Sequence, residues 1–150
     1  MIMSKRETVP FETTLLVRDT CLCMHTQRAA RALARRFDEV LRPVGLNNGQ
    51  FSLMMSLNRP EPARMGDVAT LLAMDRTTLT AALKPLTRRG LVDILIDPKD
   101  KRSRRLVLTD AGRTLLAQAV PVWEKSHAEI EKLLGDADPQ RLRDDLIALS

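Results

Sequence analysis

The stretch Ile94–Gly112, ILIDPKDKRSRRLVLTDAG, carries the strongest structural signal in the chain. An apolar run that ends at Ile96 meets a turn at Asp97-Pro98, and a second apolar run covers Leu106 to Leu108. Two short β-type runs around a turn predict a hairpin. The connection between the runs is strongly basic, with Lys99, Lys101, Arg102, Arg104 and Arg105. The pattern therefore predicts a hairpin with a cationic tip, and Thr109-Asp110 opens a helix directly after it.

The residues before the hairpin predict a well-delimited helix. Asp75 is a good N-cap, and Gly90 is a good residue just past the C-terminal end. The apolar stripe consists of Leu79, Leu83 and Leu86. Pro85 removes a backbone hydrogen bond at a cost of about 3 kcal/mol and predicts a bend. Because the stripe continues past Pro85, we predict one helix.

A shorter helix is predicted just upstream, from Gly66 to Leu72, with a turn at Ala73-Met74. It is expected to pack through Val68, Leu71 and Leu72. A short helix pair followed by a basic hairpin is the outline of a winged helix-turn-helix.

Helical patterns flank this central unit on both sides. The spacing of apolar residues predicts a long helix from about Phe11 to Pro43 and a helix from the cap Asn47 to about Leu57. A helix bent at Pro121 is predicted from Asp110 to about Leu134, and Asp138-Pro139 begins a last helix. The predicted fold class is mainly α with a small β-hairpin wing (α+β). We expect one domain over 1–150, with dimerisation helices at about 11–45 and 110–150 around a winged-helix lobe at about 46–109.

Charge is concentrated in the central lobe. The chain has 24 Lys and Arg against 19 Asp and Glu, a net charge of +5. Between Arg59 and Thr109 there are 11 basic and 6 acidic residues, and the remaining chain is balanced at 13 of each. A local excess of positive charge favours a polyanionic partner over a merely solvated loop.

Composition narrows the class of protein further. No apolar run reaches the roughly 18 residues that a membrane span needs, and the start MIMSKRETVPFETTLL lacks a signal-peptide core. Cys21 and Cys23 are two apart, so on a continuous helix they point in different directions and an intrachain disulfide is not expected. We expect a cytoplasmic protein without a membrane segment. We see no catalytic motif and expect neither an enzyme nor a cofactor.

The candidate DNA contacts lie at the start of the helix capped by Asp75 and at the hairpin tip. The helix start offers free N–H groups and short Thr side chains for close approach to base edges, while a cation on the hairpin suits a minor groove. The candidates are Arg76, Thr77, Thr78, Thr80, Lys84, Lys99, Lys101, Arg102 and Arg104. The alternative is a solvated helix turn, with Arg102 in an internal ion pair with Asp97, Asp100 or Asp75. Arg104 and Arg105 alternate along a strand, so one of the two is expected to face DNA.

Three segments resemble the MarR family of bacterial regulators. DPKDKRSRRLVLTDAG is similar to the wing of that family, DRTTLTAALKPLTRRGLV to its recognition helix, and GLNNGQFSLMMSL to its second helix. The resemblance covers roughly Thr20 to Leu134. It implies a homodimer that binds pseudo-palindromic double-stranded DNA, usually as a repressor, with dimerisation through the first and last helices. Many members of the family release DNA when a small aromatic or anionic ligand binds.

The resemblance implies two modes of sensing. An effector pocket would draw on Met24, His25, Arg28, Phe51, Met55 and Trp123, with Arg28 as the anchor for a carboxylate. Alternatively, Cys23 lies where the hydroperoxide-sensing branch of the family carries its reactive thiol, although the Tyr partners of that branch are absent. His25 and His127 alone are weak evidence for a metal, and no metal site is predicted.

The sequence thus predicts a ligand-responsive, homodimeric, DNA-binding repressor of a bacterial cytoplasm, associated with the nucleoid when bound. The alternatives are a repressor that senses peroxide through Cys23 and a winged-helix module that binds protein or RNA.

Overall fold

The computed structural model describes residues 7–150 and separates the chain into two compact units, Met1–Arg35 and Arg36–Ser150. The first six residues, which form part of the segment examined for a signal peptide, lie outside the described residues. Among the described residues no helix is both long and apolar enough to cross a membrane.

The first unit holds α1 (Phe11–Thr20) and most of α2 (Leu22–Leu41). The prediction of one uninterrupted helix from about Phe11 to Pro43 is wrong, because Cys21 takes an extended conformation with ψ 110°. The Thr20 hydroxyl donates to the Leu16 carbonyl at 2.7 Å, a bond of the kind that bends helices. The Cys21 carbonyl then accepts from the His25 N–H at 3.1 Å and so begins α2.

The second unit begins with the end of α2, which passes through a short 3-10 helix, Arg42–Val44, to Gly45. Gly45 has φ +80°, a left-handed conformation that only glycine adopts without strain. Helix α3 (Asn48–Ser56) follows. Its cap is as predicted, because the Asn47 side chain accepts from the Gln50 N–H and the Gln50 side chain accepts from the Asn47 N–H.

The helix pair of the central lobe is α4 (Met65–Leu71) and α5 (Arg76–Arg88). The predicted stripe of α5 is confirmed, since Leu79, Leu83 and Leu86 are buried. The packing predicted for α4 is partly wrong. Leu71 is 71% exposed and Ala69 is buried instead, next to Val68. The α4 helix is only two turns long, so a small rotation about its axis moves one apolar position out of the core.

The hairpin consists of β2 (Val92–Ile96) and β3 (Arg104–Leu108). Its antiparallel register pairs Val92 with Leu108 and Ile96 with Arg104. A third strand, β1 (Ala63–Arg64), was not predicted and pairs with β3, so that the sheet order is β1-β3-β2. Two residues are too few to show an alternating pattern, and only pairing with β3 identifies them as a strand.

Two helices complete the second unit, α6 (Asp110–Lys132) and α7 (Pro139–Ala148). The Thr109 hydroxyl caps α6 by accepting from the Gly112 N–H at 3.0 Å, and the Asp138 carboxylate caps α7 by accepting from the Gln140 N–H at 2.9 Å. The core of this unit is formed by α3, α4, α5, α6 and the sheet. Its most deeply buried large side chains are Leu41, Leu53, Met54, Leu57, Val68, Leu79, Leu83, Leu86, Val92, Leu106 and Leu108. The structure therefore confirms the predicted mainly helical winged-helix class.

Candidate nucleic-acid interface

The first part of the candidate interface is the N-terminal end of α5. The Asp75 carboxylate accepts from the Thr78 N–H at 2.7 Å, and this hydrogen bond is the main reason that the pKa of Asp75 lies below its usual value. The buried leucine stripe holds α5 against the core and leaves its other side in solvent. All five candidate residues of this helix are exposed: Arg76, Thr77, Thr78, Thr80 and Lys84.

The hydroxyl of Thr80 already has a partner within its own helix. It donates to the Arg76 carbonyl at 2.8 Å. The side chain therefore turns its hydroxyl proton toward its own helix. What it offers to a neighbouring molecule is its methyl group and an acceptor lone pair.

The second part is the wing loop, which two aspartates shape from inside. Asp97 is 5% exposed and accepts from the Lys99 N–H and from the Arg105 Nε, both at 2.9 Å. The Lys99 hydrogen bond, followed by the contact with Arg105, holds the pKa of Asp97 below its usual value. At the tip, the Asp100 carboxylate accepts from the Arg102 N–H at 3.0 Å. Hydrogen bonds from backbone N–H groups thus hold the loop in its conformation, and the basic side chains at the tip remain exposed to solvent.

The wing arginines divide into bound and unbound side chains. Arg105 is held by Asp97 and also donates to the Pro62 carbonyl at 3.3 Å. Arg104 donates to the Lys101 and Ser103 carbonyls at 3.0 and 3.3 Å. The side chain of Arg102 is exposed and forms no ion pair within residues 7–150. The internal ion pair considered for Arg102 is therefore wrong, because Asp97 pairs with Arg105 instead.

The sequence did not indicate two further polar features of the lobe. Arg64 on β1 lies opposite Arg105 in the register, and its positive charge contributes to the lowered pKa of Asp97. The Thr109 hydroxyl donates to the Gly90 carbonyl at 2.6 Å and so fastens the start of α6 to the end of α5. Both contacts join residues that are far apart in sequence, and no local pattern indicates them.

The structure places the candidate effector residues in several locations. Phe51, Met55 and Trp123 line one cavity of about 630 Å³ in the second unit. The rings of Phe51 and Trp123 are nearly parallel, with centroids 6.2 Å apart. In the first unit, Met24 lines a separate groove of about 450 Å³ with residues of α1. His25 and Arg28 are exposed on α2.

The Cys23 thiol is exposed, and its Sγ lies 3.2 Å from the Gln27 Nε2, which donates to it. Gln27 in turn accepts from Arg31 at 3.4 Å. His127 lies on α6, where its ring is stacked 4.6 Å from that of Trp123. Over residues 7–150 no three His, Cys, Asp or Glu side chains come together in a group that could hold a metal ion.

The lowered pKa values predict a specific response to acid. A carboxylate whose pKa is lower in the folded state stabilises the fold fully above its ordinary value of 3.8, and this contribution is lost as the pH falls through the lowered value. We therefore expect Asp97→Asn to be less stable than wild type at pH 6 and the two urea midpoints to converge as the pH falls below the ordinary pKa of 3.8. Urea unfolding across this range measures the difference. A gap that stays constant with pH would show that Asp97 contributes only through its shape.

Comparisons with known proteins agree with this geometry. The model of the MarR family matches residues 46–103. The transcriptional regulator MosR from M. tuberculosis, solved in complex with DNA, is 38% identical, with 87% of this chain and 93% of that chain covered and a TM-score of 0.78. The transcriptional repressor MprA of Escherichia coli (strain K12) is 28% identical over 141 residues, which is 93% of this chain and 77% of MprA.

A mutant of MarR from E. coli, solved with operator DNA, has a TM-score of 0.79 over 90% of this chain and 97% of its own. At 24% identity it supports the fold alone. The predicted winged-helix regulator is thus confirmed from the family model, from a relative of similar length and from the arrangement of the lobe itself. This chain belongs to the MarR family of winged-helix transcriptional regulators.

Proposed function

We propose that this DNA-binding regulator acts as a homodimeric repressor on pseudo-palindromic duplex DNA, with α5 in the major groove and the wing in the adjacent minor groove. The main observation behind the proposal is that the charged residues of the wing have two separate roles. Asp97 and Arg105 hold its base together, while Lys99, Lys101 and Arg102 remain exposed at its tip. If these cations formed ion pairs within the chain, their charges would be neutralised and would not be available to DNA.

Each candidate contact has a distinct part in this proposal. At the start of α5, Arg76 would reach a guanine, and the threonines would let the backbone approach the base edges. Lys84, Lys99 and Lys101 would neutralise phosphates. Arg102 would enter the minor groove, where the potential is most negative over A-tracts. Arg104, whose guanidinium is bonded to loop carbonyls, would support the loop and contact the backbone.

The homodimer is proposed from apolar surface at the ends of the chain. Helix α1 has no buried residue. Helix α7 exposes Leu142, Leu146 and Ile147, and Leu149 is exposed at its C-terminal end. Large apolar side chains left in solvent along a helix favour a role in an interface. We propose that the helices at about 11–45 and 110–150 form this interface and that 46–109 is the DNA-binding lobe of one MarR-like domain. Two lobes related by a two-fold axis suit two half-sites.

The proposed repressor is ligand-responsive. A ligand that binds better to a dimer whose lobes are wrongly spaced for DNA lowers DNA affinity by shifting the population of conformers. The cavity lined by Phe51, Met55 and Trp123 is large enough for such a ligand and is mainly apolar. As a regulator of a bacterial chromosome, the protein is proposed to work in the cytoplasm, on the nucleoid when bound.

The test begins with the recovery of an operator from genomic fragments that the purified protein retains. We expect a dimer in sedimentation and recognition of half-sites about one helical turn, roughly 34 Å, apart. With six candidate cations per protomer near DNA, affinity should fall by about 10³ or more between 50 and 200 mM salt. The matched control is an RNA duplex of the same sequence. A monomer, or equal affinity for RNA and DNA, would favour the interaction-module alternative.

A further inference from the structure

The cavity lined by Phe51, Met55 and Trp123 in the second unit has a lining that indicates the chemistry of a ligand. It lies where α3 and α6 meet the end of α4 and measures about 630 Å³, which suits a drug-sized organic molecule. Its mouth includes two apolar side chains in solvent, with Met55 40% and Leu71 71% exposed. Exposed apolar residues at the mouth of a cavity, away from the core, are available to a ligand.

One wall of the cavity is aromatic and flat. Trp123 lines it, and its ring is nearly parallel to two others, 6.2 Å from Phe51 and 4.6 Å from His127. The stack holds the indole in one orientation. A rigid aromatic wall favours planar ligands and attracts cations to its face.

The charge of the lining is negative. Glu124 is its one ionisable side chain within the described residues. It is exposed and forms no ion pair with any residue from 7 to 150. The other polar groups that line the cavity include the hydroxyl of Ser52, which can accept a hydrogen bond, and no lining residue is Lys or Arg. An anionic ligand would find no partner here and would meet the Glu124 carboxylate.

We propose that this cavity binds a planar aromatic cation, with the ring against Trp123 and the ammonium or amidinium group paired with Glu124. The inference rests on the proposed ligand response and changes its chemical class. The family resemblance had suggested an aromatic or anionic ligand with Arg28 as the anchor, whereas the lining of this cavity selects for positive charge. Binding of the cation would regulate the protein if the cation binds more tightly to a dimer whose DNA-binding lobes are wrongly spaced for the operator.

The test uses the fluorescence of Trp123, the one tryptophan of a chain without tyrosine. Three probes share one ring system and differ in charge: 4-tert-butylbenzyltrimethylammonium, 4-tert-butylbenzyl alcohol and 4-tert-butylphenylacetate. We expect the ammonium probe to bind about tenfold more tightly than the carboxylate, which corresponds to about 1.4 kcal/mol. The preference should shrink in high salt because Glu124 is solvent-exposed.

Glu124→Gln should bring the affinities for the ammonium and the carboxylate to within about twofold, since it removes the charge and keeps the shape. The matched control is Glu129→Gln, an exposed glutamate on the same helix that does not line the cavity, and it should keep the preference. Tighter binding of the carboxylate, or an unchanged preference in Glu124→Gln, would overturn the proposal.

Two further measurements distinguish a failure of the cavity proposal from a failure of the proposed function. Probe binding is measured without DNA, so a protein that selects the cation but ignores every operator contradicts the proposed function and leaves the cavity assignment standing. The rival occupant of the cavity is a second copy of the chain. If no probe changes the Trp123 fluorescence, the proposal is wrong, and dissociation of the dimer by Leu71→Lys in sedimentation would then identify the cavity as an interface.

Discussion

Replacing Gly112 by alanine is expected to lower the free energy of unfolding by about 3 kcal/mol or more, the largest loss that we predict for a single methyl group. Gly112 is buried in the first turn of α6, and an added Cβ would overlap the Leu91 carbonyl oxygen. That carbonyl belongs to the backbone and accepts from the Thr109 N–H at 3.1 Å. It cannot move away without breaking the junction between the hairpin and α6.

Thermal unfolding at fixed protein concentration measures this loss, and a melting temperature about 6–12 °C lower is expected. Gly66→Ala is the matched control, since Gly66 also lies in a helix and its added Cβ would meet nothing within 4 Å. The control should be neutral or up to about 1 kcal/mol more stable, because alanine favours the helix. Equal melting temperatures for the two variants would show that the α6 junction can relax.

The features that the sequence predicted well depend on neighbours in the chain. The caps Asn47, Asp75, Thr109 and Asp138 were recognised because a cap acts on an N–H group two or three residues further on. The α5 stripe and the existence of the hairpin are likewise local, since each follows from the pattern of apolar and turn residues within a short stretch of chain. These signals located the central lobe and its exposed cations within a residue or two.

The features that the sequence did not predict depend on distant partners. Strand β1 exists because β3 offers it hydrogen bonds, and Leu71 is exposed because the packing of a two-turn helix sets its rotation. The break between α1 and α2 at Cys21 contains no Pro or Gly, so the sequence does not indicate it. The ion pair of Arg102 that was considered as an alternative is not formed for a similar reason. The register places Arg105 on the strand beside the base of the loop, where its guanidinium contacts Asp97.

The ligand cavity, like the fold, was only partly predictable from the sequence. The sequence indicated Phe51, Met55 and Trp123 as candidates for a ligand pocket, and the structure brings these three together. It did not indicate Glu124, because one glutamate on a polar helix surface has no distinguishing pattern. The negative charge of the cavity lining is therefore visible in the fold and not in the sequence.

The wing arginines should separate DNA affinity from stability. Arg102→Ala is expected to weaken operator binding by about 1–3 kcal/mol, roughly 5- to 150-fold, because it removes the exposed cation at the tip. Its melting temperature should stay within about 2 °C of wild type, since Arg102 has no side-chain partner to lose among residues 7–150. Fluorescence anisotropy with a labelled operator, repeated over a salt series, measures the first effect.

Arg105→Ala should behave in the opposite way. It leaves the buried Asp97 carboxylate without its guanidinium partner and the Pro62 carbonyl without a donor. A buried charge that loses its partner is strongly destabilising, so the melting temperature should fall by several degrees, and DNA affinity should fall through the loosened loop. Arg105→Lys keeps the charge but lacks the planar fork that reaches both acceptors, and it should restore stability only in part. A loss of stability in Arg102→Ala without one in Arg105→Ala would contradict this assignment. Arg102 would then be the side chain that stabilises the wing, and it would not be a free cation available to DNA.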